Sequence, residues 1–79
     1  MAELILYYCH SCSYCAKVSS YIRRKNINLI YKDISNPPSN RDELIKLGGK
    51  AQVPCLSING KALYESDDII AWLDKNYKI

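Results

Sequence analysis

Residues 4–8, Leu-Ile-Leu-Tyr-Tyr, lead into Cys12-Ser13-Tyr14-Cys15, and a helical pattern starts there. A strand that hands over to a helix at a C-x-x-C motif constrains both topology and chemistry. A thiol at a helix N-terminus faces unpaired backbone N–H groups and the positive end of the helix dipole. Both favour the thiolate, which is the reactive form. A second cysteine one turn on can close a disulfide with the first or leave it free to attack a substrate.

The helical pattern runs to about Asn26. Cys15, Val18 and Ile22 form its buried stripe, with Tyr21 beside it, and Asn26 can take the left-handed conformation that ends a helix. Residues 27–34 read as a second strand with Ile27, Leu29, Tyr31 and Asp33 on one face. Asn36-Pro37-Pro38-Ser39 breaks the chain. A short helix follows, capped by Ser39 or Asn40, with Asp42 and Glu43 in its first turn and Leu44 and Leu47 inward. Gly48-Gly49 ends it.

Residues 54–58 read as a third strand. Asn59-Gly60 is the preferred pair for a two-residue type I′ hairpin, so residues 61–64 return as a fourth. Ser66 is an N-cap candidate, with Asp67 and Asp68 in the first turn. Ile69, Ile70, Leu73 and Tyr77 give the last helix its apolar face, and Trp72 flanks it. The order is β-α-β-α-β-β-α. A crossover helix favours a parallel first pair, and the hairpin adds an antiparallel one. The fold class expected is therefore α/β, a mixed four-stranded sheet flanked by three helices.

A chain of 79 residues is expected to form one domain, residues 1–79, burying about 60% of its unfolded surface. No apolar run approaches the ~20 residues a membrane span needs. The N-terminal residues lack the basic region of a signal peptide, so a cytoplasmic, reducing setting is expected. There cysteines serve redox chemistry or metal binding more often than structural disulfides. The charge of +3 is ordinary for a protein surface. Its one basic cluster, Arg23-Arg24-Lys25, complements a helix C-terminus and calls for no nucleic acid.

Four features in this order resemble a glutaredoxin, a thioredoxin-fold protein. They are the C-x-x-C after strand one, Gln52-Val53-Pro54 before strand three, the Asn-Gly hairpin, and Ser66-Asp67-Asp68 at the last helix. The resemblance implies a glutathione-dependent oxidoreductase that reduces protein disulfides and glutathione mixed disulfides. Cys12 would be the nucleophile and Cys15 the resolving thiol. Pro54 would be held in cis, letting the Val53 main chain pair with the cysteinyl unit of glutathione. Ser66 and Asp67 would clamp the γ-glutamyl end; plain helix capping explains them too. Tyr14 would pack on the tripeptide or cover the helix start. Arg41 would meet the glycyl carboxylate or serve as a solvated helix charge. Glutathione is a co-substrate in this reading, with no bound cofactor or metal, and the protein is expected to be a monomer without nucleic-acid or membrane partners.

Two positions depart from the resemblance. Ser13 stands where such proteins commonly have proline, and Cys9 stands where they tend to carry a lysine, for which Lys50 or Arg41 could compensate. Cys9 also makes a run of three, Cys9-Cys12-Cys15, with His10 between and Cys55 after Pro54. That set invites a metal or iron–sulfur carrier as an alternative. Cys9 and Cys55 are otherwise small, partly buried residues or partners in an extra disulfide, and His10 a loop residue able to aid the Cys12 thiolate. A further alternative is the N-terminal domain of glutathione transferases, which Glu65-Ser66 and the helix after it also resemble. Such enzymes continue into a helical domain, and most use Ser or Tyr where this chain has C-x-x-C.

Overall fold

The computed structural model describes residues 4–76. The elements are β1 (Leu4–Tyr8), α1 (Ser13–Arg24), β2 (Ile30–Asp33), α2 (Ser39–Gly48), β3 (Cys55–Ile58), β4 (Lys61–Tyr64) and α3 (Ser66–Asn76). They form one mixed sheet in the order β2-β1-β3-β4. β1 runs parallel to β2, with Leu6 beside Tyr31, and antiparallel to β3, with Leu6 beside Leu56. Asn59 and Gly60 both have positive φ, 51° and 86°, so the β3–β4 turn is the type I′ that the sequence implies. The expected α/β, three-helix, four-stranded architecture is the one observed.

Strand alternation sorts the side chains into two layers. Leu4, Leu6 and Leu56 pack with Val18, Ile22, Ile69 and Leu73 on the face that α1 and α3 cover. Tyr7 and Cys55 pack with Leu44 on the face that α2 covers. Polar ties bind each layer at its rim. The Tyr21 hydroxyl donates to Asp74 at 3.2 Å, joining α1 to α3. Glu43 of α2 accepts from the Tyr7 hydroxyl at 3.2 Å and from Lys32 at 2.6 Å. Lys32 is the main reason the Glu43 carboxyl is held below its ordinary value. Among the described residues, no helix is long and apolar enough to cross a membrane.

Several element ends differ from expectation. α1 closes at Arg24. The Ile27 N–H bonds the Ile22 carbonyl and the Asn26 N–H that of Arg23, with Asn26 at φ 54°. This is a complete Schellman stop, and its apolar residue after the turn, Ile27, tucks under the helix at 9% exposure. Residues 27–29 are therefore spent on the exit, and β2 begins at Ile30. Tyr31 is not on a buried face: it is 42% exposed on this edge strand, with its ring edge-on to Tyr8.

The expected side-chain caps are also corrected. α2 is preceded by Pro38, without a side-chain cap bond. Ser66 is already helical, and the carbonyl of Glu65 accepts the Ile69 N–H. β3 starts at Cys55, one residue after Pro54. Gly49 ends α2 in the left-handed region, φ 89°. Ile69 and Leu73 are buried on α3 as expected, Ile70 and Trp72 flank the core, and Tyr77 lies outside the described residues.

Asn40 caps nothing but is still structural. It is 9% exposed, and its amide donates to the Asp33 carbonyl at 2.9 Å, fastening α2 to the end of β2. Asn40→Ala would leave that carbonyl unpaired in a nearly dry site. A loss of about 1–2 kcal/mol is expected, read as a lower urea midpoint at unchanged slope. An unchanged midpoint would show that water replaces the amide without cost.

Candidate functional site

Three chain segments meet at one end of the sheet. The first is the turn from β1 into α1. The N–H of Cys12 donates to the Cys9 carbonyl at 3.4 Å, and the Ala16 N–H donates to the Cys12 carbonyl at 3.2 Å. Cys12 is the N-cap of α1, with extended backbone (φ −96°, ψ 119°) and no side-chain cap bond. Its sulfur therefore stands where the free N–H groups of the first turn point.

The second segment carries Gln52, Val53 and Pro54. The Val53–Pro54 bond is cis, as the resemblance implies; the Asn36–Pro37 bond is cis as well. The Cys12 thiol donates to the Val53 carbonyl at 3.9 Å, so the thiol and the Val-Pro turn are direct neighbours. The third segment is the start of α3. Glu65 precedes it at φ 74°, a left-handed backbone uncommon for a residue with a side chain. Its carboxylate accepts the Gln52 amide at 3.1 Å, linking the second and third segments.

Between these segments lies an open groove of about 680 Å³. Tyr14 forms one wall, 64% exposed. Gln52, Val53 and Pro54 form the floor, and Glu65, Ser66, Asp67 and Asp68 the far side. Tyr14, Gln52, Val53, Pro54, Ser66 and Asp67 are thus brought together as expected. Arg41 is not among the lining residues: it is exposed on α2. Lys50, the other candidate to compensate for the lysine absent at position 9, does not line the groove either; its ammonium lies over the Tyr64 ring at 4.6 Å.

Sequence reasoning missed Lys17. Its ammonium pairs with Asp67 at 2.7 Å, both side chains being largely exposed. These residues lie far apart in sequence, and only the packing of α1 against α3 brings them together. His10 is also relocated. It faces Asp33 at 3.2 Å and meets Tyr8 edge-on, engaged with the end of β2 rather than with the Cys12 thiolate.

The four thiols are all free. For Cys12, burial opposes ionisation. The Cys15 N–H, the Cys15 thiol and the Tyr14 N–H together outweigh it and lower the pKa below the ordinary thiol value. Cys15 is 2% exposed, and burial, reinforced by the neighbouring Cys12 charge, pushes it up to about 12. Cys55 is fully buried and pushed up to about 11 by that burial. The site therefore holds one thiol set to ionise beside one set to stay protonated, the division of labour that disulfide exchange uses.

The profile described as "Glutathione S-transferase, N-terminal domain" matches residues 6–78. The chain belongs to this family. It is also similar to glutaredoxin 3 of Escherichia coli, 27% identical over 71 residues, which is 90% of this chain and 86% of that protein. Among solved structures it resembles glutathione transferase Omega 3C from Trametes versicolor. There the TM-score is 0.83 at 27% identity, covering 95% of this chain and 34% of the transferase. Oxidized glutaredoxin 2 from Chlamydomonas reinhardtii matches with a TM-score of 0.70 at 25% identity, covering 96% of this chain and 75% of that one. The chain spans about a third of the transferase's length and most of either glutaredoxin's. Both resemblances stated from sequence, to glutaredoxins and to transferase N-terminal domains, are found.

Proposed function

We propose that this chain, acting as one domain, is a glutathione-dependent thiol–disulfide oxidoreductase working through Cys12 and Cys15. One observation carries the reading. Cys12, a thiol that its surroundings hold toward the ionised form, stands 3.9 Å from the Val53 carbonyl, on the floor of the groove. The Cys12 thiolate attacks a disulfide sulfur, forming a mixed disulfide and releasing one thiolate. With a glutathionylated protein, the protein thiol leaves, and a second glutathione reduces the adduct on Cys12. With a protein disulfide, a second cysteine of this chain resolves the adduct, and two glutathiones restore the dithiol.

The groove suits glutathione chemically. The Val53 main chain can pair with the cysteinyl unit. The N–H groups at the start of α3 suit the γ-glutamyl carboxylate, and Asp67 suits its ammonium. Asp67 already holds Lys17, but an exposed pair of this kind is worth only ~0–1 kcal/mol, so an arriving ammonium displaces it at little cost. Asp67→Asn is therefore expected to raise KM for glutathione about three- to tenfold and leave kcat within about twofold. An unchanged KM in steady-state titrations would remove Asp67 from the site.

A second reading, transfer of glutathione to an electrophile, draws on the family match and on Glu65 beside Ser66. It predicts conjugation of an aromatic halide that survives Cys12→Ser. Disulfide reduction does not survive that change.

A further inference from the structure

The chain contains two overlapping C-x-x-C units, Cys9-His10-Ser11-Cys12 and Cys12-Ser13-Tyr14-Cys15, which share Cys12. Both are closed in space. The first is a hydrogen-bonded turn, Cys12 N–H to Cys9 carbonyl at 3.4 Å, with His10 and Ser11 at its corners. The ends of such a turn lie within ~7 Å at Cα, and disulfides span ~4.4–6.8 Å. The second is the first turn of α1. Cys12 therefore has a thiol one turn away on either side. The Cys9 backbone also lies within hydrogen-bonding reach of the Cys15 thiol, so the loop and the first turn of α1 are in contact.

The flanking thiols differ in access. Cys15 is 2% exposed and sealed under α1. Cys9 is partly exposed, and its sulfur lies 3.5 Å from the solvent-facing Ser11 hydroxyl, so a partner in solution can reach it. The Cys12 thiol meets the Val53 carbonyl at the floor of the groove, and Val53 is a groove residue whereas Cys9 is not.

We propose that Cys9 is a second resolving thiol, the faster of the two, for disulfide adducts on Cys12. This rests on the reading above only in making Cys12 the nucleophile. The Cys9 thiolate attacks the Cys12 sulfur of Cys12–S–S–R. The S–S bond of the adduct breaks, the Cys9–Cys12 disulfide forms, and the R–S sulfur leaves as a thiolate that takes a proton from solvent. The electron pair lost by the two cysteines departs with R. Two glutathione thiols then restore the dithiol.

The test uses one equivalent of a coloured aromatic disulfide, which contains no glutathione. Cys15→Ser retains Cys9 and Cys12, and Cys55 is too buried to compete. It should release about two coloured thiolates per chain, and peptide mapping should find Cys9 joined to Cys12. The double variant Cys9→Ser/Cys15→Ser should release about one and keep the adduct. In the otherwise unaltered chain, Cys9→Ser should slow the second release about tenfold or more. Release of only one thiolate by Cys15→Ser overturns the proposal. An unchanged second rate in Cys9→Ser does too, and does not need the double variant to fold. A chain that passes these tests but shows no turnover with glutathione would retain Cys9 as resolving thiol and overturn the glutathione reading instead.

Discussion

Cys12→Ser should lower kcat/KM for disulfide reduction by a thousandfold or more, on the order of 4 kcal/mol of transition-state stabilisation. Every covalent step passes through this sulfur, and a hydroxyl cannot take its place as nucleophile or leaving group at neutral pH. The loss should be specific. Cys15→Ser should retain reduction of glutathione mixed disulfides, because that route needs only the first thiol. The ionisation behind this has its own readout. The Cys15 N–H, the Cys15 thiol and the Tyr14 N–H stabilise the Cys12 thiolate against the cost of its burial. Alkylation of Cys12 should thus reach half its maximal rate below the ordinary thiol value of ~8.5. Cys15→Ala deletes one of those donors and should move that midpoint upward. The same shift links to stability. The folded value lies below the unfolded one, so the contribution is complete above ~8.5 and is lost as pH falls through the lowered folded value. A midpoint at or above ~8.5 would contradict the role assigned to the start of α1.

Leu6→Ala should be the most damaging substitution for the fold. Leu6 is fully buried at the middle of β1, between Tyr31 of β2 and Leu56 of β3, and faces the layer that α1 and α3 close. Truncation removes three carbons where strands and helices on all sides fix the walls, so little collapse can fill the space. Substitutions of this kind cost about 2–5 kcal/mol. A domain of this size has about 4–12 kcal/mol in total, so the variant should lose a large share of its stability and could populate unfolded chain at 37 °C. Urea unfolding measures this directly. A loss under about 1 kcal/mol would mean that the two-layer packing is looser than described.

The local signals in the sequence carried far. Short β-rich apolar runs located the strands. Asn59-Gly60 supplied the hairpin, Gly49 ended α2, and Cys15, Val18 and Ile22 marked the buried side of α1. The resemblance built on Cys12, Val53-Pro54 and Ser66-Asp67 gathered most of the groove. The misplaced features depend on three-dimensional neighbours. Residues 27–29 are as apolar as a strand start, but the Schellman bonds of Ile27 and Asn26 claim them for a helix exit. Asn40 and Ser66 have capping chemistry, yet the Asp33 carbonyl draws the first away, and the turn at Glu65 makes the second a helical residue. Lys17 meets Asp67, Gln52 meets Glu65, and His10 meets Asp33 only after α1, α3 and β2 have packed. Arg41 has suitable chemistry, but α2 carries it on its exposed side, away from the groove.

The central claim is that Cys12, ionised at the head of α1, reduces disulfides with electrons from glutathione. A glutathione-coupled disulfide reduction assay on the intact chain, run beside single serine variants at Cys9, Cys12, Cys15 and Cys55, tests it most directly. Turnover that saturates with glutathione is predicted for the unaltered chain. It should persist in Cys55→Ser, persist toward glutathione mixed disulfides in Cys9→Ser and Cys15→Ser, and vanish in Cys12→Ser. Equal turnover in the unaltered chain and in Cys12→Ser would contradict the account.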